Sequence, residues 1–127
     1  MKPEDHKAKA EQIERSLLKC LPADYEMTIE AAMLAGTHWL NYLLHQRGIT
    51  SPDADVLHTY MLTVNELRRY RVADAPAIDS LAEIEDIRPG YVRGNLPDGK
   101  AAAARARDLL AVLRNSALAS SAGRSLP

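Results

Sequence analysis

The 127-residue chain contains no phenylalanine and a single cysteine, Cys20. One cysteine excludes an internal disulfide and any cysteine-based zinc site, and Cys20 is expected as a small buried apolar side chain. Charge of neither sign dominates: 16 Lys and Arg stand against 17 Asp and Glu, which excludes a general nucleic-acid polycation and an acidic tail. No apolar run approaches the roughly 18 residues of a membrane span. The opening MKPEDHKAKAEQ lacks the apolar core of a signal peptide. A cytoplasmic protein with no membrane segment is the expectation. β-Branched residues are sparse and period-two alternation never lasts more than a few residues, so strands are not expected. Walker, G-x-G-x-x-G and G-x-S-x-G sequences are all missing. Glu83 and Glu85 stand two apart and would diverge on a helix. The residues identify no catalytic set, no cofactor and no metal site.

What is present is helical signal, and the fold class expected is all-α. The stretch from Thr28 to Gly48 carries the only Trp and two of the four His. Ile29, Met33, Gly36, Leu40, Leu43, Leu44 and Arg47 recur at steps of three and four, the period of one helix face. Asp24 or Thr28 would start this helix, and Gly48 would stop it by adopting the left-handed conformation. A first helix is expected over Pro3–Leu21, with Ile13, Leu17, Leu18 and Leu21 inward and its polar opening frayed. A third should run from Asp53 to about Arg71 with Val56, Tyr60, Met61 or Leu62, Val64 and Leu67 buried. A break around Ala73–Pro76 precedes a fourth helix over Ala77–Ile87. Arg88–Gly99, with three Gly and two Pro, reads as a long loop of the kind that often carries function. A last helix should end near Ser116. Together these predict an antiparallel four-helix bundle with a fifth, extra helix, one domain over residues 1–117, and a disordered tail over 118–127.

Polar residues on these elements supply the candidate site. Glu30, Leu34, His38, Asn41 and His45 form a stripe along one side of the second helix. His38 and His45 lie about 10 Å apart along its axis, too far for one metal to hold both. A metal would need one of them with His58 or Glu30 from elsewhere. The plain reading of the stripe is a polar seam or a dimer face; the sharper one is a ligand site. Arg88 and Arg93 flank Tyr91 in the long loop. Their forked guanidinium groups suit phosphate, or else pin the loop to Glu83, Glu85 or Asp86. The candidate ligand-binding residues are therefore His38, Asn41, His45, His58, Arg88, Tyr91 and Arg93.

Two segments support a resemblance. EAAMLAGTHWLNYLLHQRGI (Glu30–Ile49), followed by His58 and an apolar helix, resembles the HEPN family of small bacterial and archaeal helical bundles. IDSLAEIEDIRPGYVRG (Ile78–Gly94) looks like that family's fourth helix, and the Ala-rich final helix like its closing element. The resemblance covers roughly Asp24 to Leu113. It implies a homodimeric bundle, a nucleotide or RNA ligand, and a nucleotidyltransferase partner on another chain. Ribonuclease members carry an Arg followed within a turn or two by a His. No His follows His58 here, so that activity is not implied for Arg88 or Arg93. The first expectation is a non-catalytic interaction module, dimeric in the manner of the family. The alternatives are a small enzyme using His38, His45 and His58, with His38 or His45 as general base or with a metal, and a purely structural dimer.

Overall fold

The computed structural model describes the backbone of residues 1–124 and the side chains of residues 1–119. Among these, every regular element is helical: α1 (Pro3–Leu17), α2 (Tyr25–Gln46), α3 (Val64–Arg88) and α4 (Gly99–Arg124). A single 3₁₀ turn covers Thr59–Met61 and a single π turn Pro89–Arg93. None of the described helices is long and apolar enough to cross a membrane. Four α-helices stand where five were expected.

α1 begins with Pro3 in its first turn and with Glu4 and Asp5 at the positive end of its dipole. It stops at Leu17, short of Leu21. The Lys19 and Cys20 N–H groups tighten onto Ser16 and Leu17 three residues back, and the Leu21 N–H, just before Pro22, turns to the Asp24 carboxylate at 2.8 Å. Leu18 and Leu21 accordingly face solvent, contrary to expectation. The start of α1 is not loose either. His6 and Ala10 are buried, His6 with 2 % exposure, so the polar opening carries a narrow inward face.

α2 matches the periodic pattern closely. Ile29, Met33, Gly36, Leu40, Leu43 and Leu44 are all buried. Its C-terminus is a Schellman turn: Gly48 takes φ 69°, its N–H donates to the His45 carbonyl at 3.0 Å, and Ile49 N–H donates to Leu44 at 2.9 Å.

The third expected helix is overturned over its first half. Residues 53–63 are non-helical apart from the 3₁₀ turn, and Tyr60, Met61 and Val64 are exposed rather than buried. The cause is long-range. The Asn41 side chain takes both the N–H and the C=O of Val56, each at 2.7 Å, and the Glu85 carboxylate takes the Thr59 N–H. Backbone groups that a helix would pair internally are thus held from other elements. α3 starts only where a capping box forms, with Glu66 N–H on Thr63 Oγ1 at 3.1 Å and Thr63 N–H on Glu66 Oε1 at 2.9 Å. The expected break near Pro76 is a kink inside α3: Asp74 leaves helical geometry, and its carboxylate caps Ala77 N–H at 3.0 Å. α4 runs beyond Ser116 to Arg124. Of the tail expected to be disordered, residues 125–127 lie outside the described residues.

Direction alternates along the chain. Tyr25 packs on Gly99 and Gly36 on Leu113, so α2 and α4 run side by side in the same sense. Arg88 of α3 reaches Glu30 near the start of α2, while Asp74 pairs with Arg47 just past its end. Arg114 of α4 meets Glu14, and Arg107 the Leu17 carbonyl. α1 and α3 therefore run opposite to the central α2–α4 pair. A Cβ on Gly36 would come within 2.9 Å of a Leu113 methyl and 3.4 Å of a Leu81 methyl, which is why the two central helices approach so closely there.

Candidate metal centre

The site forms where the start of α1 meets the second half of α2 and the loop that follows. The Schellman turn folds the chain back so that Thr50 lies against His45, its Oγ1 2.7 Å and its carbonyl 3.3 Å from Nδ1. One turn earlier on α2, Asn41 clamps Val56 and so positions the preceding residue, Asp55. One Asp55 oxygen, Oδ1, lies 2.8 Å from His45 Nε2 and 2.9 Å from His6 Nε2. The His6 ring fills the gap between the two α2 histidines, with centroids 5.1 Å from His38 and 5.3 Å from His45. Its Nδ1 lies 2.9 Å from His38 Nδ1. The Met1 amino group lies 3.3 Å from both Asp55 oxygens.

Proton positions follow from these distances. Burial alone would raise the Asp55 carboxyl, but hydrogen bonds from His45 and His6 outweigh it and hold the group at about 2. Asp55 is therefore a carboxylate and accepts from both Nε2–H groups. Burial lowers His6 below the ordinary histidine value despite the Asp55 hydrogen bond, and lowers His38 with help from His6 and Lys9. With the His6 and His38 rings neutral, His6 Nδ1 accepts from His38 Nδ1–H, while His45 Nδ1 pairs with the Thr50 hydroxyl.

The same partners serve a second arrangement. His6 Nε2, His45 Nε2 and an Asp55 oxygen all lie within 4.8 Å of one another. Ligands at ~2.0–2.2 Å in a tetrahedral shell stand about 3.3 Å apart, so a small opening of the triad admits a divalent ion. Both Nε2 protons must then leave, and each ring carries its proton on Nδ1. His45 Nδ1–H has the Thr50 hydroxyl and carbonyl to donate to, and His6 Nδ1–H has His38 Nδ1. A hydroxyl and an imidazole each switch between donor and acceptor, so neither state leaves a buried group unpaired. Held Nδ1 protons of this kind are the outer support that metal-bound histidines need. Three protein ligands leave a position open, as catalytic rather than structural metal sites do.

His6 and Asp55 also line a cleft of about 340 Å³ together with His38, Asn41, His58 and Arg88, over an apolar wall of Met33, Leu34, Val56 and Leu57. His58 is fixed in it by two contacts. Its Nδ1 lies 2.9 Å from Glu85 Oε2, and its ring stacks on Tyr60 with centroids 4.7 Å apart. Glu85 is itself buried and also accepts from the Thr59 hydroxyl. Arg88 donates from Nε to Glu30.

Of the seven residues expected to bind a ligand, His38, Asn41, His58 and Arg88 line this cleft. His45 sits behind it, between Asp55 and Thr50. Asn41 has its amide committed to Val56 and Thr37, so its part is to hold the loop. Tyr91 and Arg93 fall on the π turn away from the cleft, Tyr91 half-buried against the core and Arg93 exposed. The additional ligands expected for a metal, His58 and Glu30, pair instead with Glu85 and Arg88. His6 and Asp55 were not among the residues expected at the site. His6 left a trace, since it and Ala10 stand four apart on the only inward face of the polar opening of α1. Asp55 left none. No family model, curated protein or solved structure matches the chain.

Proposed function

We propose that this protein is a metalloenzyme-type bundle that binds one divalent first-row transition ion through His6, His45 and Asp55 and acts on a small molecule in the adjoining cleft. The observation that carries the reading is the convergence of two imidazole Nε2 atoms on one carboxylate, from three separate segments, with both Nδ1 atoms already held. Two imidazoles and a carboxylate suit Zn²⁺ and Fe²⁺ better than Mg²⁺ or Ca²⁺, which prefer all-oxygen shells. When bound, such an ion lowers the pKa of a coordinated water to ~7 and polarises oxygen groups of a substrate. The chain supplies the rest. His58, oriented by Glu85 and Tyr60, is the acid–base group of the cleft, and the apolar wall excludes water around the substrate.

The test is calorimetric titration of tag-free, chelator-stripped protein with Zn²⁺. One ion per chain is expected, with binding lost in His45→Ala and in Asp55→Ala and kept in His58→Ala. No binding by the parent protein, or equal binding by His45→Ala, overturns the assignment. The HEPN-like reading, a dimer serving a nucleotide, an RNA or a nucleotidyltransferase, is supported by the helical bundle alone, and a bundle by itself carries no function.

A further inference from the structure

The cleft has a chemical polarity that the metal ligands do not explain. Arg88 donates to Glu30 only through Nε. Its two terminal nitrogens have no hydrogen-bond partner among the described residues, although Arg88 lines the cleft. Every carboxylate nearby is committed: Asp55 to His6 and His45, Glu85 to Thr59 and His58, and Glu30 to Arg88 itself. His38 and His58 each have Nδ1 tied to a partner, which leaves Nε2 as the one available nitrogen on each ring. Met33, Leu34, Val56 and Leu57 make the apolar part of the lining, and the Thr37 hydroxyl beside them is committed to the Met33 carbonyl at 2.9 Å. A volume near 340 Å³ is at the small end of ligand sites, which run ~300–1,000 Å³.

We infer that the cleft takes a small amphipathic anion, a carboxylate or phosphate head on a short apolar body, with the head on the free terminal nitrogens of Arg88 and the body along Leu34 and Leu57. A guanidinium edge offers two parallel N–H groups that match either head. Glu30 competes for the same cation, so it tunes the site rather than building it. As a substrate class this rests on the metal-centre reading; as a binding site it stands on the cleft alone.

The experiment uses the full chain in excess EDTA, where failure of the metal reading has no bearing. Hexanoate and hexyl phosphate, with hexanol and hexylammonium as controls, are titrated into ¹⁵N-labelled protein and followed by amide shifts. At least one anion should bind, the tighter of the two naming the head group, and neither control should. Arg88→Gln should weaken that anion by about tenfold or more, as loss of a charged hydrogen-bond donor does. Glu30→Gln breaks the same ion pair but should tighten binding several-fold. If both substitutions weaken binding, the pair is only a structural brace and the inference fails. It fails equally if neither anion binds, if hexanol binds as well as hexanoate, or if Arg88→Gln leaves affinity unchanged.

Discussion

Replacing Asn41 by Ala tests the whole arrangement at its narrowest point. Asn41 is 1 % exposed. Its Oδ1 accepts from Val56 N–H at 2.7 Å, and its Nδ2 donates to the Val56 carbonyl at 2.7 Å and the Thr37 carbonyl at 2.9 Å. The pairing also fixes the amide orientation, since only one placement of O and N satisfies Val56. Truncation leaves a buried N–H and a buried C=O on Val56 without partners, each costing ~1–3 kcal/mol. A total near 3 kcal/mol lowers the melting temperature of a domain this size by roughly 10 °C. Asp55, one residue before Val56, then loses its fixed place between His6 and His45, and Zn²⁺ affinity should fall by about 10- to 100-fold, the range for lost outer support. Asn41→Asp is the matched control. It keeps the volume and the acceptor for Val56 N–H but sets an oxygen against two carbonyls, so it should destabilise about as much as Ala. Circular dichroism melts and calorimetric Zn²⁺ titrations of the three proteins check both effects. A melting temperature for Asn41→Ala within about 2 °C of the parent would refute the claim that this side chain holds the loop.

Two further outcomes follow from the same structure. The metal-free protein should lose stability steadily on acidification: His6 and His38 titrate below the ordinary 6.5 when folded, so their contribution is present above 6.5 and lost as pH falls through it. Asp55, at about 2 against 3.8 unfolded, adds a second loss below 3.8, while the exposed pairs Arg71–Asp79 and Arg105–Glu83 add little; urea midpoints in EDTA between pH 8 and pH 3 measure it, and higher stability at pH 5 than at pH 8 would contradict it. Gly36→Leu should cost about 1–3 kcal/mol by overpacking against Leu113 and Leu81, although Leu favours a helix over Gly by up to ~1 kcal/mol. Urea unfolding of Gly36→Leu checks this, and a gain in stability would mean that α2 and α4 are not in close contact there.

Much of the bundle was legible from residues close in sequence. The period of α2, its Schellman stop at Gly48 and the breaks at Pro22 and Pro76 are local: helix geometry places residues three and four apart on one face, and proline acts on its immediate neighbours. The same locality put His38, Asn41 and His45 in register along one side of α2. It misled where local preference met a distant partner. Residues 53–63 carry apolar spacing suited to a helix, yet Asn41 and Glu85 capture Val56 and Thr59 and hold that segment open. The Thr63–Glu66 capping box was present in the sequence as a start signal for α3 and outranked the start expected at Asp53.

The sequence by itself determined that this is an all-helical chain with a long, precisely stopped central helix and a polar stripe along it, because those properties depend on spacings of a few residues. Only the tertiary structure decided that the stripe meets a partner. His6 lies 49 residues from Asp55 and 32 from His38, and nothing in their neighbourhoods draws them together. They converge because α1 packs antiparallel on α2, bringing His6 between His38 and His45, and because a buried asparagine one element away holds the loop that delivers the carboxylate.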